Sequence, residues 1–114
     1  MKANCIFCKI GSDHDQSDFV YRDDKMFVIR DIHPKAPTHL LIIPFQHTAS
    51  LAYVAPSNES TFGHMFTVAE EVARREGVTK TGYRLVINQG PDSGQEVSHL
   101  HMHVLGGRQL SAMG

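Results

Sequence analysis

Neither sign of charge dominates this sequence. Eleven basic and twelve acidic side chains leave a formal net charge of -1, and no long basic stretch is present. The chain therefore lacks the electrostatic footprint of a protein that binds a nucleic-acid polymer. No segment approaches an apolar membrane span, and the opening MKANCIFCKI lacks the continuous apolar core of a signal peptide. A cytoplasmic location without a membrane partner is expected. Cysteine is scarce, with only Cys5 and Cys8. Two cysteines do not make a disulfide framework, and in a reducing compartment the pair points to metal binding, redox chemistry or locally packed thiols. Repeats and low-complexity tracts are also missing. What remains is the composition of an ordinary soluble protein, 41% hydrophobic and 20% charged over 114 residues. That length predicts one domain, residues 1–114, able to bury roughly two-thirds of its unfolded surface.

Residues 11–18, GSDHDQSD, have the composition of a polar loop. Short extended candidates follow at 19–22 and, more strongly, at Met26–Ile29 beyond the Asp23-Asp24 turn. The stretch DIHPKAPTH contains two prolines and reads as a rigid connection. LLIIP, residues 40–44, reads as a strand buried on both faces and stopped by Pro44. From Asn58 the period changes: Phe62, Met65, Phe66, Ala69, Val72 and Ala73 follow the spacing of an amphipathic helix ending near Gly77, with Ser57 and Asn58 as capping candidates. Tyr83–Asn88 alternates as a strand, GPDSG at 90–94 is a turn, and a last strand is expected at about 98–105. These elements predict an α+β fold, an antiparallel sheet with one principal helix.

The last strand carries SHLHMHVLGG, which holds three of the chain's eight histidines. Strand period places His99, His101 and His103 on one face and Leu100, Met102 and Val104 on the other. His99 and His103 lie about 13 Å apart along such a strand, too far to ligate one ion together through zinc–nitrogen bonds of about 2.0–2.1 Å. A neighbouring pair can do so, or one ring can bind metal while another performs chemistry, or the rings simply face solvent. His39 begins a neighbouring apolar strand, His47 follows the end of that strand at Pro44, and Asn88 ends another. Imidazole serves as nucleophile, base or acid near neutral pH. The GPDSGQ loop offers backbone N–H groups to a phosphate, or is a simple turn.

With these residues in place the chain resembles the histidine-triad superfamily, specifically its HINT-like branch of purine nucleoside phosphoramidate hydrolases. The resemblance covers CIFCKI at 5–10, RDIHPKAPTHLLIIP at 30–44, GYRLVINQG at 82–90, His99–Leu105 and HVLGGRQ at 103–109. It implies a sheet of about five strands with one principal helix and a short N-terminal helix or turn, extended across a homodimer. It also implies a purine nucleotide substrate. His101 would attack the α-phosphorus of an adenosine or guanosine phosphoramidate, and water would release AMP or GMP from the nucleotidyl-histidine. His39 matches the histidine that orients the nucleophile, and His103 the one that contacts phosphate. Asp31 matches the residue that binds the ribose hydroxyls, Ile32 a base-pocket residue, and Asn88, Gly94 and Gln95 the phosphate wall.

Relatives that carry the Cys-x-x-Cys element imply structural zinc on Cys5, Cys8, His47 and His99, closed at four ligands. Aminoacyl-adenylates are a further substrate class that the resemblance suggests. Dinucleoside-polyphosphate hydrolysis or phosphorolysis, and non-catalytic nucleotide binding, are the competing functions. Three features depart from the family pattern. Glu96 stands where a serine is often found, Ser98 where an aromatic is often found, and the ending QLSAMG lacks a tryptophan that some relatives place near the leaving group.

Overall fold

The computed structural model describes residues 4–13 and 18–114. In chain order these form α1 (Ile6–Gly11), β1 (Tyr21–Arg22), β2 (Met26–Arg30), β3 (Thr38–Pro44), α2 (Glu59–Arg75), β4 (Tyr83–Val86) and β5 (Met102–Gly106). Single 3-10 turns occupy Leu51–Tyr53, Pro56–Asn58 and Pro91–Ser93. Every strand pair is antiparallel, and the spatial order is β1-β2-β3-β5-β4. The expected α+β architecture, five strands with one main helix and a short N-terminal helix, is the one the chain adopts. Of the polar stretch at 11–18, residues 14–17 lie outside the described residues. No described helix is long and apolar enough to cross a membrane.

β3 is buried along its whole length because both of its faces are covered. Leu40 and Ile42 join Met26, Val28, Met102 and Val104 under Met65, Val68, Ala69 and Val72 of α2. The alternate residues Leu41 and Ile43 face the other way, onto Phe7 and Cys8 of α1 and onto Phe27. Burying each large aliphatic side chain this completely stabilises the fold by about 1.5–3 kcal/mol. The buried stripe of α2 is Met65, Val68, Ala69, Val72 and Ala73. Phe66, expected on that stripe, is instead exposed, and Val68 takes a place the periodicity did not name.

Two expected boundaries shift for identifiable reasons. Asn58 precedes α2 but makes no side-chain cap bond, and neither does the fold use Ser57 as the cap residue. The 3-10 turn Pro56–Asn58 runs straight into the helix, leaving Asn58 at φ -100 and ψ -1 instead of the extended conformation in which a cap side chain reaches back. The last strand begins at Met102, not near Ser98. Its approach is held from outside the ladder, the Leu100 N–H donating to the Thr48 carbonyl at 2.7 Å. The in-out alternation survives that detour, with Leu100, Met102 and Val104 all buried.

Register then decides which histidines meet. β3 and β5 pair His39 opposite Leu105 and Leu41 opposite His103. His39 and His103 are thus diagonal neighbours on the sheet face that α1 covers only in part.

Candidate active site and metal centre

The uncovered part of that face is a cavity of about 590 Å³. His39, His101 and His103 line it together with Asp31, Asn88, Gly94 and Glu96, and Phe7, Leu41, Val86, Val97 and Leu105 supply its apolar wall. His39 and His101 are 3% and 7% exposed, so their rings are desolvated and each must find hydrogen-bond partners inside the protein.

Those partners fix the proton positions. His101 Nδ1 lies 2.7 Å from the His99 carbonyl oxygen, which only accepts, so Nδ1 carries the proton and Nε2 keeps its lone pair. The Lys35 N–H donates to His39 Nδ1 at 3.0 Å, so the neutral His39 ring is protonated at Nε2. That Nε2–H donates to His103 Nδ1 at 2.9 Å, which places the proton of a neutral His103 on its Nε2. Two adjacent rings, 5.1 Å between centroids, therefore have opposite tautomers, a nucleophilic Nε2 on His101 and a donor Nε2–H on His103. His39 is paired with His103 and not, as the resemblance implied, with His101, whose orientation comes from the His99 backbone.

Burial keeps the rings neutral. It pushes His39, His99 and His101 below the usual imidazole range, in His39 against the pull of nearby Asp31. His103 is lowered furthest, to about 4, by burial first and then by repulsion from His101 and His39. Neutral, oriented imidazoles in a cavity of this size suit attack on an electrophilic centre followed by charge stabilisation.

Asp31 stands between this cavity and a second one of about 690 Å³ lined by Ile10, Phe19, Ile29 and Ile32 among others. One carboxylate oxygen accepts the His33 N–H at 2.8 Å, and the other lies 3.4 Å from His39 Nε2. Ile32 is 86% exposed and lines the second cavity, not the first. Asn88 is braced by its Nδ2 donating to the Ser93 carbonyl. Gly94 adopts a left-handed φ of +82 that closes the Pro91–Ser93 turn at the cavity rim. Gln95 does not line the cavity. Its amide spans the loop, accepting from Gly90 N–H and donating to the Val97 carbonyl. The N–H groups of Gly90, Ser93 and Gly94 are engaged within the loop, so it is more a folded turn than an open phosphate nest. Glu96 lines the cavity where it is exposed, and Ser98 is exposed outside it.

Behind the histidines, Cys5, Cys8, His47 and His99 bring their ligand atoms within 4.8 Å of one another. Cys5 Sγ is 3.2 Å from His99 Nδ1, and Cys8 Sγ is 3.3 Å from His47 Nδ1 and 3.6 Å from His99 Nδ1. A tetrahedral zinc ion with sulfur and nitrogen ligands separates its donors by roughly 3.3–3.8 Å. The outer contact fits too, since His99 Nε2 donates to the Pro44 carbonyl at 2.8 Å and so turns an unprotonated Nδ1 toward the thiols. This donor set matches a closed structural metal site.

Phe7 escaped the reading of the sequence. Its ring meets His101 edge-on at 4.9 Å and His99 at 5.8 Å. Its place between two cysteines was the available signal, because anything that holds both thiols also holds Phe7. The apolar residues Ile10, Phe19 and Ile29 of the second cavity come from α1, the segment before β1, and β2, and carry no shared motif.

The HIT domain family model matches residues 13–110. Purine nucleoside phosphoramidase of Escherichia coli (strain K12) is 46% identical over 113 residues, covering 99% of this chain and 95% of that protein. The structure of a histidine triad protein from Clostridium difficile superposes with a TM-score of 0.92 at 37% identity, covering 100% of this chain and 99% of that one. A zinc-bound histidine triad family protein from Mycobacterium smegmatis superposes with a TM-score of 0.77 at 32% identity, covering 92% of this chain and 76% of that one.

Proposed function

This chain belongs to the HIT family, and on that premise we propose that it hydrolyses purine nucleoside phosphoramidates to AMP or GMP through a nucleotidyl-histidine. The observation that carries this reading is the pair of opposite tautomers on His101 and His103 in one cavity. The unprotonated Nε2 of His101 attacks the α-phosphorus. The phosphorus–nitrogen bond breaks, and the departing amine takes the bonding pair and a proton from solvent. As the His101 ring gains positive charge, its Nδ1–H bond to the His99 carbonyl becomes charge-assisted and strengthens. His103 Nε2–H donates to a phosphoryl oxygen while charge builds there. Water then attacks the phosphorus and gives up a proton to solvent, and His101 leaves with its electron pair restored.

The surroundings support this order. Asp31 holds the ribose hydroxyls between the two cavities, and the base enters the apolar pocket of Ile10, Phe19, Ile29 and Ile32. Asn88 and Gly94 wall the phosphate, with Gln95 as the brace of that loop. Cys5, Cys8, His47 and His99 would hold a structural zinc, which would supply a cross-link between α1, the segment after β3 and the segment before β5. The unpaired edge of β4 and the exposed Phe66 on α2 support a homodimer formed across that side of the sheet.

The test is AMP release from adenosine phosphoramidate by the wild-type protein and by His101→Ala, both confirmed folded. Turnover by the wild type that disappears in the variant supports the reading. Equal turnover in the two removes His101 from the mechanism.

A further inference from the structure

We propose that the Cys5–Cys8–His47–His99 cluster sets the tautomer and orientation of the His101 imidazole, with His99 and Phe7 as the positioning residues that connect them. This rests on the reading of His101 as nucleophile. The cluster and the cavity share no ligand atom, but two short paths join them.

The first path runs through the main chain of His99. Its ring is wholly buried and engaged at both nitrogens, Nδ1 beside Cys5 Sγ and Nε2–H on the Pro44 carbonyl. The peptide that follows is pinned as well, by Leu100 N–H on the Thr48 carbonyl. A residue fixed at its ring and at its next peptide presents its carbonyl in one direction, and that carbonyl is the acceptor 2.7 Å from His101 Nδ1. If the ring anchor loosens, the acceptor that selects the tautomer loosens with it.

The second path is Phe7. Its ring meets His99 at 81° and His101 at 75°, so it limits rotation of both. Phe7 rides on α1, which has only six residues and cannot hold itself helical without outside support. That support comes from the cysteines at its start and in its middle, with Cys5 Sγ accepting the Cys8 N–H. Release of the thiols therefore frees Phe7 and His99 together. The polar groups assigned to ribose and phosphate are built elsewhere, Asp31 after β2 and Asn88 and Gly94 after β4, while α1 adds only the apolar side chains of Phe7 and Ile10 to the two cavities. The cluster should accordingly affect the chemical step more than nucleotide affinity.

The experiment measures imidazole nitrogen-15 chemical shifts of His101 in the full chain, loaded with zinc and then stripped by a chelator. kcat and the AMP dissociation constant are measured on the same samples. The expected result is a single Nδ1–H tautomer in the loaded protein and a tautomer mixture in the stripped one. kcat should fall by about 10- to 100-fold, the range produced by changes in groups that orient metal ligands, while the AMP dissociation constant rises by a clearly smaller factor, about fivefold or less. A second variant, Phe7→Leu, keeps all four ligands. It should still bind zinc, yet lose about tenfold in kcat with a smaller loss of AMP affinity, about threefold or less. An unchanged His101 tautomer and unchanged kcat after stripping overturn the proposal, as do kcat and AMP affinity falling by the same factor. If the stripped protein unfolds, Phe7→Leu decides alone, and full activity in it overturns the proposal. The tautomer measurement needs no turnover, so a failed nucleophile assignment would show separately, as persistent activity of His101→Ala.

Discussion

On the α2 side of the sheet, Leu40, Ile42, Met102 and Val104 are at most 1% exposed and cluster with the apolar stripe of the helix. On the α1 side, the alternate residues of the same two strands include His39, Leu41 and His103, facing a cavity. One face removes hydrocarbon from water without any polar obligation. The other buries imidazoles and must give every ring nitrogen a defined role. It does so with backbone carbonyls, a backbone N–H and the other histidines, and no described buried side-chain nitrogen or oxygen lacks a partner. The lesson is a separation of tasks by strand parity: the dry face supplies stability, and the wet face spends some of it on fixed proton positions.

That separation can be broken experimentally. The largest effect is expected for His101→Ala, which should lower AMP release by roughly 10³-fold or more while leaving thermal stability nearly unchanged. Leu40→Ala, one residue from His39 but on the other face, should do the opposite. It should cost about 2–5 kcal/mol in urea unfolding, with the molecules that remain folded turning over at close to the wild-type rate.

Acid sharpens the same contrast. His103 has its folded pKa lowered from 6.5 to about 4. Protons are taken up by the unfolded chain first, so the stability tied to a neutral His103 is fully present above pH 6.5 and is lost as pH falls toward 4. Urea midpoints measured across that window should decline with falling pH, and His103→Gln should flatten the decline. The smallest effect is expected at Glu96, an exposed carboxylate on the cavity wall. Glu96→Ser should lower the preference for phosphoramidates of cationic amines over neutral ones by about two- to fivefold, within the range of a screened surface charge.

The strands and the main helix were legible because their burial follows local period: LLIIP for β3, the stripe of α2, and the alternation through Leu100, Met102 and Val104. What period could not convey was contact between distant segments. The Thr48 carbonyl takes the Leu100 N–H out of the ladder, which is why the last strand starts at Met102. His39 was legible as a site residue but its partner was not. Diagonal register between β3 and β5 sends it to His103, and register is set by the whole sheet. The four thiol and imidazole groups of the candidate metal centre could be named from motif resemblance, whereas the contact of Phe7 with His101 needed three dimensions. Gln95 likewise reads as a phosphate contact and is placed as a loop brace, because its side chain reaches Gly90 N–H before it reaches the cavity.

The most direct test of the central claim is rapid acid-free quenching of the wild-type protein during turnover of adenosine phosphoramidate, followed by mass spectrometry of its peptides. The account predicts a nucleotidyl group on the peptide containing His101, attached to that residue and formed and lost within the turnover time. Turnover proceeding with no adduct at any time point, or an adduct on His103 or His39 instead, would contradict it.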